Sequence, residues 1–229
     1  LLKLHYPLLR SSFRKFTISN EKNLIMNFFT KKILRYFYKV SNYSQAGQDL
    51  FALELFGKNG TYIDVGSGEP KIGNNTYSLE VENNWKGFCV DFDKNYEKLW
   101  KNCPERNNKV YWEDATKFDY SKGLIENNLP NKIDYLSCDL DPQEKTFMAL
   151  KKVFFDGVEP KLITFETDKY REKIDYEKLA IDFLYPKNYI IAVKDVYSGL
   201  KKNKVFETWF INKNINFNHI NYREWVKKL

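Results

Sequence analysis

The sequence predicts an α/β fold, a mostly parallel sheet with helices on both faces. Two observations carry that expectation. From Ser44 onward, short runs rich in β-branched and aromatic residues alternate with stretches of helical periodicity. Such alternation implies parallel strands joined by right-handed crossovers. The second observation is the stretch GTYIDVGSGE over 60–69, in which an apolar run enters an acidic residue and then two glycines spaced by one. A strand followed by Gly-x-Gly lets the backbone come close to a ligand, because glycine has no Cβ, and this favours a nucleotide-like ligand. A chain of 229 residues suffices for one such domain and an appendage. We divide it into an extension over 1–42 and a domain over 43–229.

The elements follow in order. Leu24 to Val40 places Ile25, Phe29, Ile33, Phe37 and Val40 at intervals of three and four, with Lys31, Lys32, Arg35 and Lys39 off that stripe, which predicts a basic amphipathic helix. It either packs on the domain or docks on an anionic membrane surface or a partner. The domain then reads as helix Gln45–Phe56, strand Thr61–Val65, helix Thr76–Asn83, strand Gly87–Asp91, helix Lys94–Asn102 and strand Lys109–Glu113. After a loop come strand Lys132–Cys138, helix Pro142–Val153, strand Lys161–Glu166, helix Asp175–Leu184, and strands Tyr189–Lys194 and Val205–Asn212. Asp141, Pro142 and Glu144 make a capping signal for the helix they begin.

Composition narrows the function classes. With 43% hydrophobic residues, 10 glycines and 7 prolines, the chain is a folded protein without repeats. Its +7 charge resembles a nucleic-acid signal until it is located. Residues 1–40 hold nine basic residues against one acidic, +8, and the remainder holds 28 against 29, −1. The balanced body argues against a domain that clamps a polyanion, so no specific nucleic-acid partner is expected. Cys89, Cys103 and Cys138 form no CxxC pair and read as reduced, buried thiols. No apolar run is long enough to span a membrane, and the start lacks the uninterrupted apolar region of a secretory signal. A cytoplasmic protein is expected, with peripheral membrane contact through residues 1–40 as an option. The initial Leu suggests a piece of a longer chain.

Ligands of a parallel sheet lie at the carboxyl ends of its strands. All five first strands end in carboxylate: Asp64 with Gly66 and Gly68, Asp91 with Asp93, Glu113 with Asp114, Asp139 with Asp141, and Glu166 with Asp168. Asp91 lies 23 residues after Gly68, where a carboxylate accepts both hydroxyls of a ribose. A dinucleotide fingerprint would place a third glycine at position 71, which is Lys71. Asp64 inside the first strand suits a ligand with a cationic end, and a nucleoside with a cationic tail is S-adenosylmethionine.

The stretch Ser44-Gln-Ala-Gly-Gln-Asp49, the YIDVGSGEP loop, Asn75-Thr76, NNWKGFCVDFD and IDYLSCDLD, in that order, resemble the FkbM-type methyltransferases over roughly Ser44 to Asp168. The resemblance implies a Rossmann-like class I methyltransferase, a three-layer sandwich on a seven-stranded sheet with an antiparallel last strand. It also implies O-methylation of a hydroxyl on a sugar, glycan, glycolipid or polyketide. Carried over, it puts Asp64, Gly66 and Gly68 at the methionine part, Asp91 on the ribose, and Glu113, Asp114 and Ala115 near the adenine, with Gln45 and Asn75 facing the same cleft. The family's Asp-x-Glu-Gly after the fourth strand is here Asp139-Leu140-Asp141-Pro142, and Asp141 reads either as a helix cap or as a site residue.

An alcohol needs a place for its proton. His5 and His219, the two histidines, lie outside the nucleotide core, which leaves Asp139 as base with Asp141 or Glu166 beside it. The same three carboxylates are the candidates for holding a divalent cation. Trp209, Tyr222 and Trp225 are candidate faces for an acceptor sugar, whereas Trp112 reads as core. Two further readings stand beside the methyltransferase: an NAD(P)-binding Rossmann enzyme, and a non-catalytic membrane- or RNA-binding module acting through residues 1–40.

Overall fold

A computed structural model describes residues 43–197, 204–217 and 220–226. The helix expected over Leu24–Val40, His5 and His219 lie outside the described residues. The element order is α1 (Gln48–Phe56), β1 (Thr61–Val65), α2 (Tyr77–Asn83), β2 (Lys86–Val90), α3 (Glu97–Lys101), β3 (Lys109–Tyr111), α4 (Tyr120–Glu126) and β4 (Tyr135–Cys138). There follow α5 (Gln143–Phe155), β5 (Leu162–Glu166), α6 (Tyr176–Leu184), β6 (Tyr189–Tyr197), β7 (Val205–Asn212), β8 (Ile220–Asn221) and α7 (Tyr222–Val226).

The strands form one sheet in the order β3-β2-β1-β4-β5-β7-β6-β8. Strands β1 to β5 pair in parallel, and β7 runs antiparallel between β5 and β6. The expected seven strands are present, and the two-residue β8 adds an eighth beside β6, in parallel. Because β7 is reversed, its first residues meet the carboxyl end of β5, with Glu207 opposite Glu166.

Period-two alternation splits the sheet's side chains between two cores. Ile63, Val65, Phe88, Leu136, Ile163, Phe165 and Phe210 pack with the buried faces of α4, α5 and α6. On the opposite face, Tyr62, Cys89, Tyr135, Leu162 and Ile211 pack with Phe51 and Ala52 of α1. Trp209, Tyr222 and Trp225 belong to this second core. They are buried, and the Trp209 ring packs tilted against Phe51 at 4.9 Å and edge-to-face against Trp225 at 5.7 Å. The three rings expected to face an acceptor sugar are therefore spent on the hydrophobic core, where they tie α7 to α1. Tyr222 Oη reinforces that tie by donating to the Ala46 carbonyl at 2.9 Å. The three cysteines are free and buried, as the spacing predicted.

Local differences have local causes. The loop expected before β4 contains α4, whose signal is broken by Gly123; a Cβ there would lie 2.9 Å from the Phe88 ring, so glycine lets the helix close on the sheet. Asp119 caps α4 by accepting from Lys122 N at 2.9 Å. Asp175 caps α6 in the same way. Asp141 does not cap α5. Pro142 itself occupies the cap position and the preceding peptide is cis.

Candidate active site

Ligands of a sheet of this kind lie at the carboxyl ends of its strands, and β1 ends there in the glycine loop. Gly66 adopts φ 81°, and a Cβ on it would lie 1.7 Å from the Asp139 carbonyl oxygen. The β1 and β4 ends therefore touch through backbone alone, and Asp139 N donates to the Val65 carbonyl at 2.9 Å. Gly68, at φ 56°, has open space where its Cβ would be, so its backbone is accessible from the cleft.

Asp91 holds this loop. Its two oxygens accept from Gly68 N at 2.7 Å and from Asp93 N at 2.8 Å, and burial pushes its carboxyl above the usual range. Each oxygen keeps a second lone pair for a ligand hydroxyl. Phe92, the next residue, is 74% exposed. Sequence reasoning passed over it, although an aromatic ring between two acids in Asp91-Phe92-Asp93 was legible as an exposed one.

Asp64 stands a layer below the cleft surface rather than at it. It is 1% exposed, accepts from Thr76 Oγ1 at 2.8 Å, and is pushed up to about 6 by burial. Asn75 sends Nδ2 to Ser137 Oγ at 3.1 Å. Its buried Oδ1 has no hydrogen-bond partner, and neither has the buried Oγ of Ser67. Gln45 is exposed, and a Cβ on Gly73 would lie 4.0 Å from its Cγ, which brings it to the same loop. At the end of β3, Glu113 is exposed and Ala115 is buried. Asp114 is folded into its own turn, where bonds from the Thr116 hydroxyl, at 2.7 Å, and amide hold its carboxyl below the usual range.

The other half of the cleft is a set of carboxyls. Asp139 directly follows β4 and Glu166 ends β5, and the two carboxyls lie against each other and interact. Burial pushes both up, and the neighbouring Asp139 charge adds to the rise at Glu166. Gln143 Nε2 donates to Glu166 Oε2 at 2.6 Å. Glu207 faces Glu166 across the β5–β7 register, is 1% exposed, and accepts from Trp209 Nε1 at 2.6 Å and Gln48 Nε2 at 2.9 Å. Burial pushes it up to about 8. Neither Glu207 nor Gln48 was singled out from sequence. The signal for Glu207 is an acid inside the apolar run Val205–Asn212.

Asp141 leaves this group. Its side chain is 76% exposed and pairs with Arg171, which also pairs with the buried Asp168. Among the described residues no three His, Cys, Asp or Glu side chains are placed to hold a metal ion. The expected cation site of Asp139, Asp141 and Glu166 is not formed, because Arg171 draws Asp141 outward and Glu166 is engaged with Asp139.

The glycine side, by contrast, fits a nucleoside carrying an amino-acid tail. The open backbone at Gly68, the spare lone pairs of Asp91, the exposed Phe92 ring and the unpaired acceptors Asn75 Oδ1 and Ser67 Oγ supply one feature each for such a ligand.

No family model matches the chain, and no curated protein matches its sequence. Among solved structures it is similar to the 1,6-didemethyltoxoflavin-N1-methyltransferase of Burkholderia thailandensis, determined with 1,6-didemethyltoxoflavin and S-adenosylhomocysteine bound. The identity is 10%, the match covers 86% of this chain and 92% of that one, and the TM-score is 0.50. It is also similar to human methyltransferase 10 domain containing protein, with 14% identity, 79% and 93% covered, and a TM-score of 0.48. The strand order and the first of these likenesses identify the architecture as the Rossmann-like class I methyltransferase fold.

Proposed function

We propose that the protein transfers a methyl group from S-adenosylmethionine to a hydroxyl of a sugar, glycan or glycolipid, as its resemblance to the FkbM-type methyltransferases implies. One observation carries the reading: the backbone contact of Gly66 with Asp139 sets a half-buried carboxyl pair directly beside an open glycine loop. When bound, the cofactor supplies an electrophilic methyl on a sulfonium.

The chain's own residues then have two tasks. Gly68, Asp91 and Asn75 orient the cofactor, which makes the displacement effectively unimolecular. Asp139 takes the acceptor's proton as the oxygen–methyl bond forms. Glu166, driven to its protonated state by burial and by the Asp139 charge, donates a hydrogen bond to that carboxylate and keeps its ionised form in place. A carboxyl raised above its usual range is also a stronger base than an exposed aspartate. No step is assigned to a metal. The basic segment over residues 1–40 offers a peripheral membrane contact suited to a glycolipid acceptor.

The test is isothermal titration of S-adenosylhomocysteine into the wild type and Asp91→Ala, with NADH as control. Binding of adenosylhomocysteine that the substitution weakens supports the reading; binding of NADH alone, or of neither, sinks it. Incubation with methyl-labelled S-adenosylmethionine and a panel of sugars and glycolipids then tests the acceptor.

A further inference from the structure

Arg106 lies in the segment between α3 and β3, distant in sequence from every motif of the site, and is buried. Its Nη1 donates to the Pro70 carbonyl and to Asn74 Oδ1, both at 2.9 Å. Its Nη2 donates to Thr76 Oγ1 at 3.2 Å and to Tyr62 Oη at 3.3 Å. Asn74 and Thr76 are the residues on either side of Asn75. Asn74 in turn donates from Nδ2 to the Ser67 and Glu69 carbonyls at 3.0 Å each. Trp100, whose ring lies 4.5 Å from the Arg106 guanidinium, donates from Nε1 to the Gly68 carbonyl at 2.9 Å. The carbonyls of Ser67, Gly68, Glu69 and Pro70 are thus all fastened from the protein side, by one connected group centred on Arg106.

The charge is matched as well as the geometry. Glu80 pairs with Arg106 Nε at 2.6 Å, and both side chains are almost fully buried. A planar fork that reaches a carbonyl, an amide oxygen and a hydroxyl at once is a task for guanidinium and not for an ammonium. What the clamp leaves unfastened is the Oδ1 of Asn75, an unpaired acceptor between two clamped neighbours.

We infer that Arg106 is a positioning residue for the cofactor: by gripping Asn74 and Thr76 it fixes Asn75, whose Oδ1 accepts from the ammonium of the methionine part. This role rests on the cofactor reading above. It predicts an effect confined to the amino-acid end of the ligand, since the ribose is served by Asp91 from another strand.

The experiment compares two probes, S-adenosylhomocysteine and methylthioadenosine, which lacks the amino-acid tail, by titration into wild type, Arg106→Lys, Asn75→Ala and the double variant. Arg106→Lys is expected to weaken adenosylhomocysteine binding by about tenfold or more, the worth of a hydrogen bond to a charged group, and methylthioadenosine by less than about twofold. Asn75→Ala is expected to do the same, and the double variant to lose no more than either single one, since both act on one contact. Equal weakening of both probes by Arg106→Lys, or losses that multiply in the double variant, overturns the role while leaving the cofactor reading intact. Failure of the wild type to bind either probe removes both. Should Arg106→Lys not fold, Thr76→Ala, which deletes one hydroxyl in the grip and keeps the Arg106–Glu80 pair, takes its place with the same expected pattern.

Discussion

The two halves of the cleft are built in opposite ways. On the β1–β2 side the ligand-facing surface is largely backbone, with φ-positive glycines fastened by the Asp91 carboxylate, the Asn74 amide and the Trp100 indole, and the buried cation behind it, Arg106, has a buried carboxylate partner in Glu80. On the β4–β5–β7 side the surface is carboxyl: Asp139 lies against Glu166, Asp168 pairs with Arg171, and Glu207 is held by Gln48 and Trp209. The first half is held mainly by geometry, and its two buried carboxyls, Asp64 and Asp91, are each tied by hydrogen bonds to neighbouring protein groups. The second half is held in unusual protonation states by burial, so pH should reach it. A cofactor with a fixed shape suits the first, and an exchanged proton suits the second.

The seam between the halves should be the costliest place to disturb. Gly66→Ala puts a Cβ against the Asp139 carbonyl at a φ that side chains rarely adopt, and neither backbone can retreat without breaking the 2.9 Å bond from Asp139 N to Val65 O. Strain at positive φ and overpacking together should cost roughly 3 kcal/mol or more, seen as a large fall in the urea midpoint. Wild-type stability in this variant would mean that the two halves are not joined through that contact.

The second-largest effect separates binding from chemistry. Asp139→Asn keeps the size of the side chain and its contact with Glu166 but cannot take a proton, so methyl transfer should fall by about 10² to 10⁴, with adenosylhomocysteine affinity within about twofold of wild type. An equal loss of affinity would place Asp139 in the cofactor half instead. Asp91→Asn should do the reverse. It removes a charged acceptor from two backbone N–H groups and from the ribose, and should cost about 1.5–3 kcal/mol of binding by titration.

Glu207 gives the comparison a pH axis. Its carboxyl is raised from 4.5 to about 8, so the folded state binds more protons than the unfolded chain between those values. Its stabilising contribution is full below about pH 4.5 and is lost as the pH rises through about 8. Urea midpoints measured from pH 5 to pH 8 should fall with rising pH, by an amount on the order of a few kcal/mol at most for this group. In Glu207→Gln, which has no proton to lose, the slope should flatten. An unchanged slope would move the titration to another group in the cluster.

How much of this was legible follows the same division. Backbone requirements are written as residue types: Gly66 and Gly68 after an apolar run announced the loop, and the order of strands and helices announced the sheet. Helix α4 was hidden because Gly123, placed for contact with Phe88, breaks the periodicity that would reveal it. Contacts between distant strands were not written locally at all. Nothing in Val205–Asn212 says that Glu207 will face Glu166, because that pairing depends on β7 being inserted, reversed, between β5 and β6. Arg106 was equally silent, a single cation in a loop whose hydrogen-bond and ion-pair partners Tyr62, Pro70, Asn74, Thr76 and Glu80 lie 26 to 44 residues away. The aromatic candidates failed for the converse reason: Trp209, Tyr222 and Trp225 are large and near the chain end, but the rings of α1 needed them more than a sugar did.

The smallest expected effect tests a residue at the edge of both descriptions. Asp141 was legible as a cap for α5, and Asp141→Asn at a true cap would still offer an oxygen, so Asp141→Ala is the informative change. A lost cap costs about 1 kcal/mol, typically, whereas an exposed ion pair is worth between about 0 and 1 kcal/mol and is screened by salt. With Pro142 in the cap position and the Asp141 side chain paired to a half-exposed Arg171, the expected loss is at most about 0.5 kcal/mol and should shrink further in 0.5 M salt, roughly five times the ionic strength at which the screening length is about 10 Å. A loss of 1 kcal/mol or so that salt does not reduce would restore the cap. A loss that disappears in salt assigns Asp141 to the rim of the carboxyl half and leaves Asp139 and Glu166 as the pair proposed to handle the acceptor's proton.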